Sequence, residues 1–424
     1  MKKLLSFYLL FIASFLFFLT SCKDDEIMNL SADKHEISDY HGTHYLPYEQ
    51  ALEKALYAIY GDKQTRAQNI RVKEHHEYVA HKATYNDGDS IDVRFHVINF
   101  DNNAGFALVS ADNRTTPIYA FSNTGSLDLE NAIKNTGIKE FMDGAAKLFR
   151  EELRGNPGGG LIPIPIDSVP DFMLSPIVSY NNVDCYAYST HSTFESPILT
   201  NTEWNQCHPY NAACPYVENP KIGYNGKAAA GCATIATAQI IAYHQYPSSF
   251  NGITFDWNAI TAVPYYNPYC NLTPAAESIA QFVYQVAVSL NVVFGVTSSC
   301  STLDTYNTLQ SWGYATSQIS EFNIQNIKSS LINGWPVYCR GESSTVGHAW
   351  VIDSYRKNTH KTTYYEVAPP HVIAGIQASD TYYYHCNWGW GGTYNGYFYG
   401  GAFNTNVGSF NNDNQIIYNI HPNN

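Results

Sequence analysis

One of the nine cysteines in this 424-residue chain is set apart by its neighbours. Cys232 lies within Ala228-Ala-Ala-Gly-Cys-Ala-Thr-Ile-Ala-Thr-Ala-Gln-Ile-Ile-Ala-Tyr-His-Gln245. Small residues run up to it, and good helix formers follow it without a break. Ala233, Ala236, Ile240 and Tyr243 recur at helical spacing, which predicts a buried helix. Pro247 stops that helix, because its ring cannot continue the backbone ladder. Cys232 then stands at a helix N-terminus, where unpaired N–H groups and the dipole favour an anion. Such placement brings a thiol from ~8.5 down to between about 3.5 and 7.5, and a thiolate is a nucleophile. A small buried core cysteine would fit the same stretch, so the remaining residues decide.

A thiolate nucleophile needs a base that holds the proton balance and later donates to a leaving amine. His348 is the best candidate: Gly347-His-Ala-Trp-Val-Ile-Asp353 predicts a strand that presents it at a cleft edge. The base needs something to orient it. Asn387 and Trp388 lie on the next predicted strand, Thr381 to Trp388. There an amide or a backbone carbonyl can face the imidazole and an indole can shield the contact. A tetrahedral intermediate also needs oxyanion donors. The Cys232 N–H is one, and Gln206, a neutral donor upstream of the nucleophile, is the candidate for the second.

The elements that must hold these groups follow from periodicity. Apolar spacing predicts a helix from Tyr48 to Tyr60. Val93, Phe95 and Val97 alternate with polar residues, as in a half-buried strand. Asp101-Asn-Asn-Ala-Gly105 signals a turn, with Phe106 to Ala111 as the return strand. Ile118 to Phe121 is another strand, and Leu129 to Leu153 reads as helical with a break at Gly137. These make a small α+β domain in which no nucleophile, acid–base pair or metal cluster stands out. His75 and His76 read as surface residues. Gly155-Asn-Pro-Gly-Gly-Gly160 and Pro163-Ile-Pro165 mark a linker. The tract to about Ser196 has no strong periodicity, as in loops that proteases cut. Pro274 to Leu290 and Leu303 to Trp312 are predicted helices flanking the Ser-rich turn Thr297-Ser-Ser-Cys-Ser301. Strands begin at Trp335. Helices first and strands later give an α+β second domain.

Composition narrows the field. A formal net charge of -13 argues against a nucleic-acid partner. No CxxC pair occurs, so zinc-ribbon and thioredoxin readings are weak, and neither a metal nor a cofactor is expected. Cys207 and Cys214 are near enough in sequence to pair. Leu4 to Leu19 is apolar but short for a membrane span. Leu19-Thr-Ser-Cys22 behind it resembles a bacterial lipobox, which implies cleavage before Cys22 and its acylation. Lys23-Asp-Asp-Glu-Ile then resembles an acidic surface-export signal of some gram-negative bacteria, and residues 28–45 read as a polar tether.

Four segments together resemble streptopain-type cysteine peptidases. They are Trp204-Asn-Gln-Cys-His-Pro-Tyr-Asn211, Ala-Ala-Gly-Cys232-Ala-Thr-Ile-Ala-Thr-Ala-Gln, Gly-His348-Ala-Trp-Val-Ile-Asp, and His385-Cys-Asn-Trp-Gly-Trp-Gly-Gly392. Phe95 to Asn99 with Gly105-Phe-Ala-Leu-Val-Ser-Ala-Asp-Asn-Arg114 is similar to the inhibitory propeptide of that family. The resemblance implies a papain-like α+β fold, with a helical part and an antiparallel sheet part behind a small α+β propeptide domain. It implies Cys232 as nucleophile, His348 as general acid–base, Gln206 in the oxyanion hole and Trp388 at the third active-site position with Asn387 beside it. Gly347 and Ser298 would contact substrate, and Trp390-Gly-Gly392 would form a flexible cleft wall.

The expected layout is a signal peptide (1–21), a tether (22–45), a propeptide (46–154), a linker with the activation cut (155–195) and a peptidase domain (196–424). Protein or peptide substrates are expected, with an apolar preference near the scissile bond. The chain's own propeptide would inhibit it, and the membrane would hold it through Cys22 in the outer membrane or release it after maturation. Two departures stand out. Tyr355 to Tyr384 is longer than a compact strand connection and reads as an extra flap over the cleft. Cys207 and Cys386 sit beside Gln206 and Asn387, which leaves a disulfide or redox control open there. Two rival readings are a cell-wall peptide amidase and a non-catalytic surface binding module.

Overall fold

The computed structural model describes residues 44–61, 70–80, 92–134, 136–155, 177–342, 347–368, 370–403 and 414–423. The expected signal peptide, Cys22 and nearly all of the tether lie outside these residues. Among the described residues no helix is long and apolar enough to cross a membrane.

The first helix has the bounds its spacing predicts, Tyr48–Tyr60. Ala51, Ala55, Ala58 and Ile59 form its buried stripe, and Gly61, at φ +57°, ends it. The stripe lies on Ile98, Phe100, Ala107, Val109 and Phe121, one face of the strands Val93–Phe100, Phe106–Ser110 and Ile118–Ser122. Val93, Phe95, Val97, Phe106 and Leu108 point to the other face, where Phe141 and Phe149 of the helix Thr136–Gly155 cover them. The strand expected to be half-buried is therefore buried on both faces. The helical run breaks earlier than Gly137: Asp128 caps a single turn, Leu129–Ala132, and the long helix resumes at Thr136.

These strands do not form a sheet of their own. Ile118–Ser122 pairs with Gly396–Tyr399 through Tyr397↔Phe121 and Phe398↔Ala120. The sheet, twelve-stranded among the described residues, runs on through Ile373–Asn387, Gly347–Glu366 and Val337–Glu342. The core beneath it is shared, so Phe95 and Phe141 belong to the same cluster as Trp350 and Trp388.

The tract before Ser196, expected as loop, is largely strand in its described part. Ile177–Tyr180 and Val183–Glu195 form a hairpin. Glu195 to Cys185 then pair with Arg356 to Glu366 without interruption. The insertion from Tyr355 to Tyr384 is likewise no flap. It prolongs two strands into an arm, paired from Val351↔Asn387 out to Tyr365↔Ile373. Among the described residues, none of this arm borders the cavity described below.

A second core lies on the far side of the sheet. Its centre is the helix Cys232–His244, in which every residue from Ala233 to Ala242 is buried. A helix buried on every face belongs inside a protein, and here its polar side chains Thr234, Thr237 and Gln239 are buried as well. Pro274–Ser289 and Thr302–Ser311 pack beside it, each within a residue of its predicted bounds and each started by a side-chain cap, Thr273 and Ser301. Trp204, Phe282 and Trp312 fill the space between.

Candidate active site

The backbone delivers Cys232 to a cleft by close packing of small groups. Ala229 and Ala230 donate their N–H groups to the carbonyls of Gly295 and Gln206, at 3.1 and 3.0 Å. Gly231 turns the chain into the helix at φ +95°, a conformation side chains rarely adopt. Cys232 follows as the first helical residue, half-buried on a cavity of about 1260 Å³. Gln206, Ser298, Gly347 and His348 border the same cavity.

His348 comes from the facing strand and is 3% exposed. Its Nε2 lies 3.0 Å from the Trp388 carbonyl oxygen. A carbonyl only accepts, so Nε2 carries the proton and Nδ1 is left as the bare, basic nitrogen. Trp350, Trp388 and Trp390 surround the ring, with centroids 6.3, 6.2 and 6.0 Å away. That dry surround lowers the imidazole pKa to about 4, against the pull of the Trp388 carbonyl.

Of the two orienting groups that the sequence offers, the backbone carbonyl faces the imidazole and the Asn387 amide does not. Asn387 Nδ2 donates to the Thr202 carbonyl at 2.5 Å and to Gln239 Oε1 at 3.2 Å. Gln239, fully buried on the Cys232 helix, also accepts from the Trp204 N–H at 3.1 Å. One amide pair thus ties the Cys232 helix to the strand that carries Trp388. Gln239 lies inside a quoted motif, yet only this geometry gives it a part.

The helix N-terminus does not by itself produce a thiolate. Burial pushes the Cys232 thiol above its ordinary value. The backbone N–H of Ala349, that of Ala233 and the Arg340 guanidinium oppose that shift without overcoming it. Among the described residues no hydrogen bond joins the sulfur to the His348 ring, although the Ala349 N–H that reaches the sulfur belongs to the next residue along. The first domain reaches the same imidazole. Gly137, in the first turn of the helix Thr136–Gly155, sits directly on His348 and Trp388. A β-carbon built on it would be 2.7 Å from the His348 ring and 2.7 Å from the Trp388 indole. Lys134 from the same segment enters the cavity. Thiol and imidazole are both held in their neutral forms.

Ser298 borders the cavity but donates its hydroxyl to the Ala229 carbonyl at 2.7 Å, so its side chain braces the turn in front of Cys232. The Trp390-Gly-Gly392 wall is pinned by the Gly391 N–H on the Trp204 carbonyl, at 3.1 Å. Every cysteine among the described residues is a free thiol, Cys207 and Cys214 included. His75, expected at the surface, is half-buried with Nε2 3.0 Å from His96 Nδ1. Arg340 drew no attention in the sequence, though a cation directly after the apolar run Trp335-Pro-Val-Tyr-Cys339 was a signal.

Residues 204–398 match the Peptidase C10 family. Residues 45–147 match the Spi protease inhibitor family. The chain is a streptopain-type cysteine peptidase in zymogen form. It is 26% identical over 369 residues to streptopain of Streptococcus pyogenes, covering 75% of this chain and 78% of that protein. It is 22% identical over 384 residues to the thiol protease/hemagglutinin PrtT of Porphyromonas gingivalis, covering 80% of this chain and 38% of that protein. Among solved structures, a prointerpain A fragment of Prevotella intermedia shares the fold. Its TM-score is 0.51 at 20% identity, with 77% of this chain and 94% of that chain covered. The enzyme hydrolyses peptide bonds, and its propeptide inhibits it intramolecularly. The segment at Lys134 and Gly137 is where that propeptide meets the cleft.

Proposed function

We propose that Cys232 and His348 are the nucleophile and the general acid–base of this endopeptidase, idle until the propeptide leaves. The observation that carries the reading is their approach from opposite subdomains to one cavity, with Gly137 seated on the imidazole. Once Gly137 is gone, the bare Nδ1 takes the Cys232 proton while Nε2 stays on the Trp388 carbonyl. The thiolate attacks the peptide carbonyl carbon. The Cys232 N–H and the Gln206 amide take the oxyanion, and the Gly347 backbone aligns the substrate chain. The tetrahedral adduct collapses as His348 protonates the departing amine. Water, deprotonated by His348, then cleaves the thioester and frees the acid. Asn387 and Ser298 hold the two walls in place.

The proposed layout keeps residues 46–154 as propeptide and 196–424 as peptidase, with the strand Val183–Glu195 already part of the peptidase sheet. The lipobox-like Leu19-Thr-Ser-Cys22 supports an envelope protein anchored through an acylated Cys22, facing protein substrates outside the cell or released by maturation. Incorporation of labelled palmitate that is lost in Cys22→Ser tests the anchor. Cys232→Ala tests the chemistry: it should abolish both self-processing and casein cleavage. N-terminal sequencing beside wild type reads the outcome, and normal processing of the variant expressed alone would refute autocatalysis.

A further inference from the structure

Two large apolar side chains stand bare at the mouth of the cleft. Ile222 is 91% exposed and Tyr269 is 78% exposed, and both border the cavity that holds Cys232. One exposed apolar residue is ordinary on a protein surface. A pair of them on the rim of one cavity marks a place where a ligand is received.

Their backbones are held although their side chains are not. The Tyr224 N–H donates to the Lys221 carbonyl at 3.2 Å and closes the turn that carries Ile222. The Tyr269 N–H donates to Asn267 Oδ1 at 2.9 Å, and the Cys270 N–H to the Asn267 carbonyl at 2.9 Å. His208, two residues after Gln206, ties both loops down. Its N–H donates to the Gly223 carbonyl at 3.1 Å, and its Nε2 lies 3.2 Å from the Cys270 carbonyl oxygen. The loops also meet each other: a β-carbon built on Gly223 would be 3.7 Å from Cβ of Pro268. A lip already fixed in this way loses little backbone freedom when a ligand settles on it.

The lip stands on the side of the cleft from which the amine leaves. Tyr265, in the loop of Tyr269, packs on the Trp390-Gly-Gly392 wall, where a β-carbon built on Gly391 would be 2.6 Å from its ring. Trp390 itself lies 6.0 Å, centroid to centroid, from the His348 ring that hands a proton to the departing amine. We propose that Ile222 and Tyr269 form an apolar subsite that selects a large apolar or aromatic side chain in the leaving half of the substrate. This rests on the Cys232–His348 reading and adds to it a selective position on the amine side, apart from the acyl side that the Gly347 backbone aligns. An aliphatic and an aromatic group exposed together gain by covering each other's apolar area with a third, and neither offers a charged side chain a partner.

The experiment uses processed enzyme and internally quenched peptides that share one acyl half. The three positions after the cut carry Phe, Leu, Ala or Lys in turn. The expected result is one position at which Phe and Leu exceed Ala and Lys by roughly tenfold in kcat/KM. The ratio of Phe to Ala at that position should survive in Tyr269→Phe, fall in Ile222→Ser and in Tyr269→Ser, and approach parity when both serines are present. The same ratio measured at positions before the cut should not move. Labelling of Cys232 by a small uncharged epoxide is measured on every variant, separating lost folding or reactivity from altered selection. Enzyme that takes the label but shows no such position, or keeps its Phe preference in the double variant, overturns the subsite alone. So does a double variant that shifts selection only before the cut. Enzyme that takes no label at Cys232 and cuts nothing overturns this proposal and the catalytic reading together.

Discussion

His348 gives its ring proton to a carbonyl oxygen and leaves Nδ1 bare, while three indoles keep water away from it. With its pKa lowered to about 4, it remains neutral in the folded zymogen where an unfolded histidine, at ~6.5, would already be charged. The unfolded or undocked state therefore binds the proton more readily. The stability that neutral His348 contributes is present above about pH 6.5 and is lost as the pH falls towards 4. His75 and His244, also lowered by burial, act in the same direction. The Tm of the Cys232→Ala zymogen should thus fall between pH 7 and pH 4, and a flat profile in calorimetry would contradict the buried neutral ring. Gly137 offers a second test at this scale. Any side chain there meets the His348 and Trp388 rings at 2.7 Å. Gly137→Val should destabilise the zymogen by about 1–3 kcal/mol, as overpacking does. It should also speed self-processing, read by thermal melts and by a gel time course.

Among the elements, those with a local cause were legible beforehand. The first helix ends where Gly61 takes a left-handed turn, and the Cys232 helix ends ahead of Pro247, so residue type alone marks both boundaries. What was missed has its cause far away in the chain. The strand Val183–Glu195 has both faces partly exposed, so no apolar alternation marks it, and the longer of its two partners lies beyond residue 355. The sequence left an amide and a main-chain oxygen open as the group that orients His348, because no residue type marks a carbonyl; packing chose the oxygen. Arg340 acts on the thiol only because strand register sets it opposite Ala349, whose N–H reaches the sulfur. The element carrying Cys232 is also the most sensitive to its first residue. Gly231→Ala forces a β-carbon into φ +95° and within 3.4 Å of Ser298, which costs about 1–2 kcal/mol. Epoxide labelling of Cys232 should slow at least tenfold in that variant while far-UV circular dichroism stays native. Loss of the Ser301 capping box in Ser301→Ala should lower stability by about 1 kcal/mol in denaturant titrations.

At the scale of the whole molecule, propeptide and peptidase are joined by main-chain pairing, a common core and one arginine. Arg356 bonds Glu195 of the peptidase, with Nε 2.7 Å from Oε2. It also bonds the Ala58 carbonyl of the propeptide helix and lies over the Phe121 ring, 4.6 Å from its centroid. The last two contacts exist only while the propeptide is docked. Arg356→Ala should therefore lower the Tm of the zymogen by several degrees more than that of the processed enzyme. Equal losses in the two forms would show that the residue serves the peptidase alone.

The joint at Phe121 and Ala120 has an outcome beyond inhibition. When the propeptide departs, Gly396–Tyr399 becomes a margin whose outward amides and carbonyls have water as their only partner. Loss of the propeptide thus uncovers an adhesive rim on the free enzyme. Its brevity, four residues, limits how many hydrogen bonds a second copy could add along that rim.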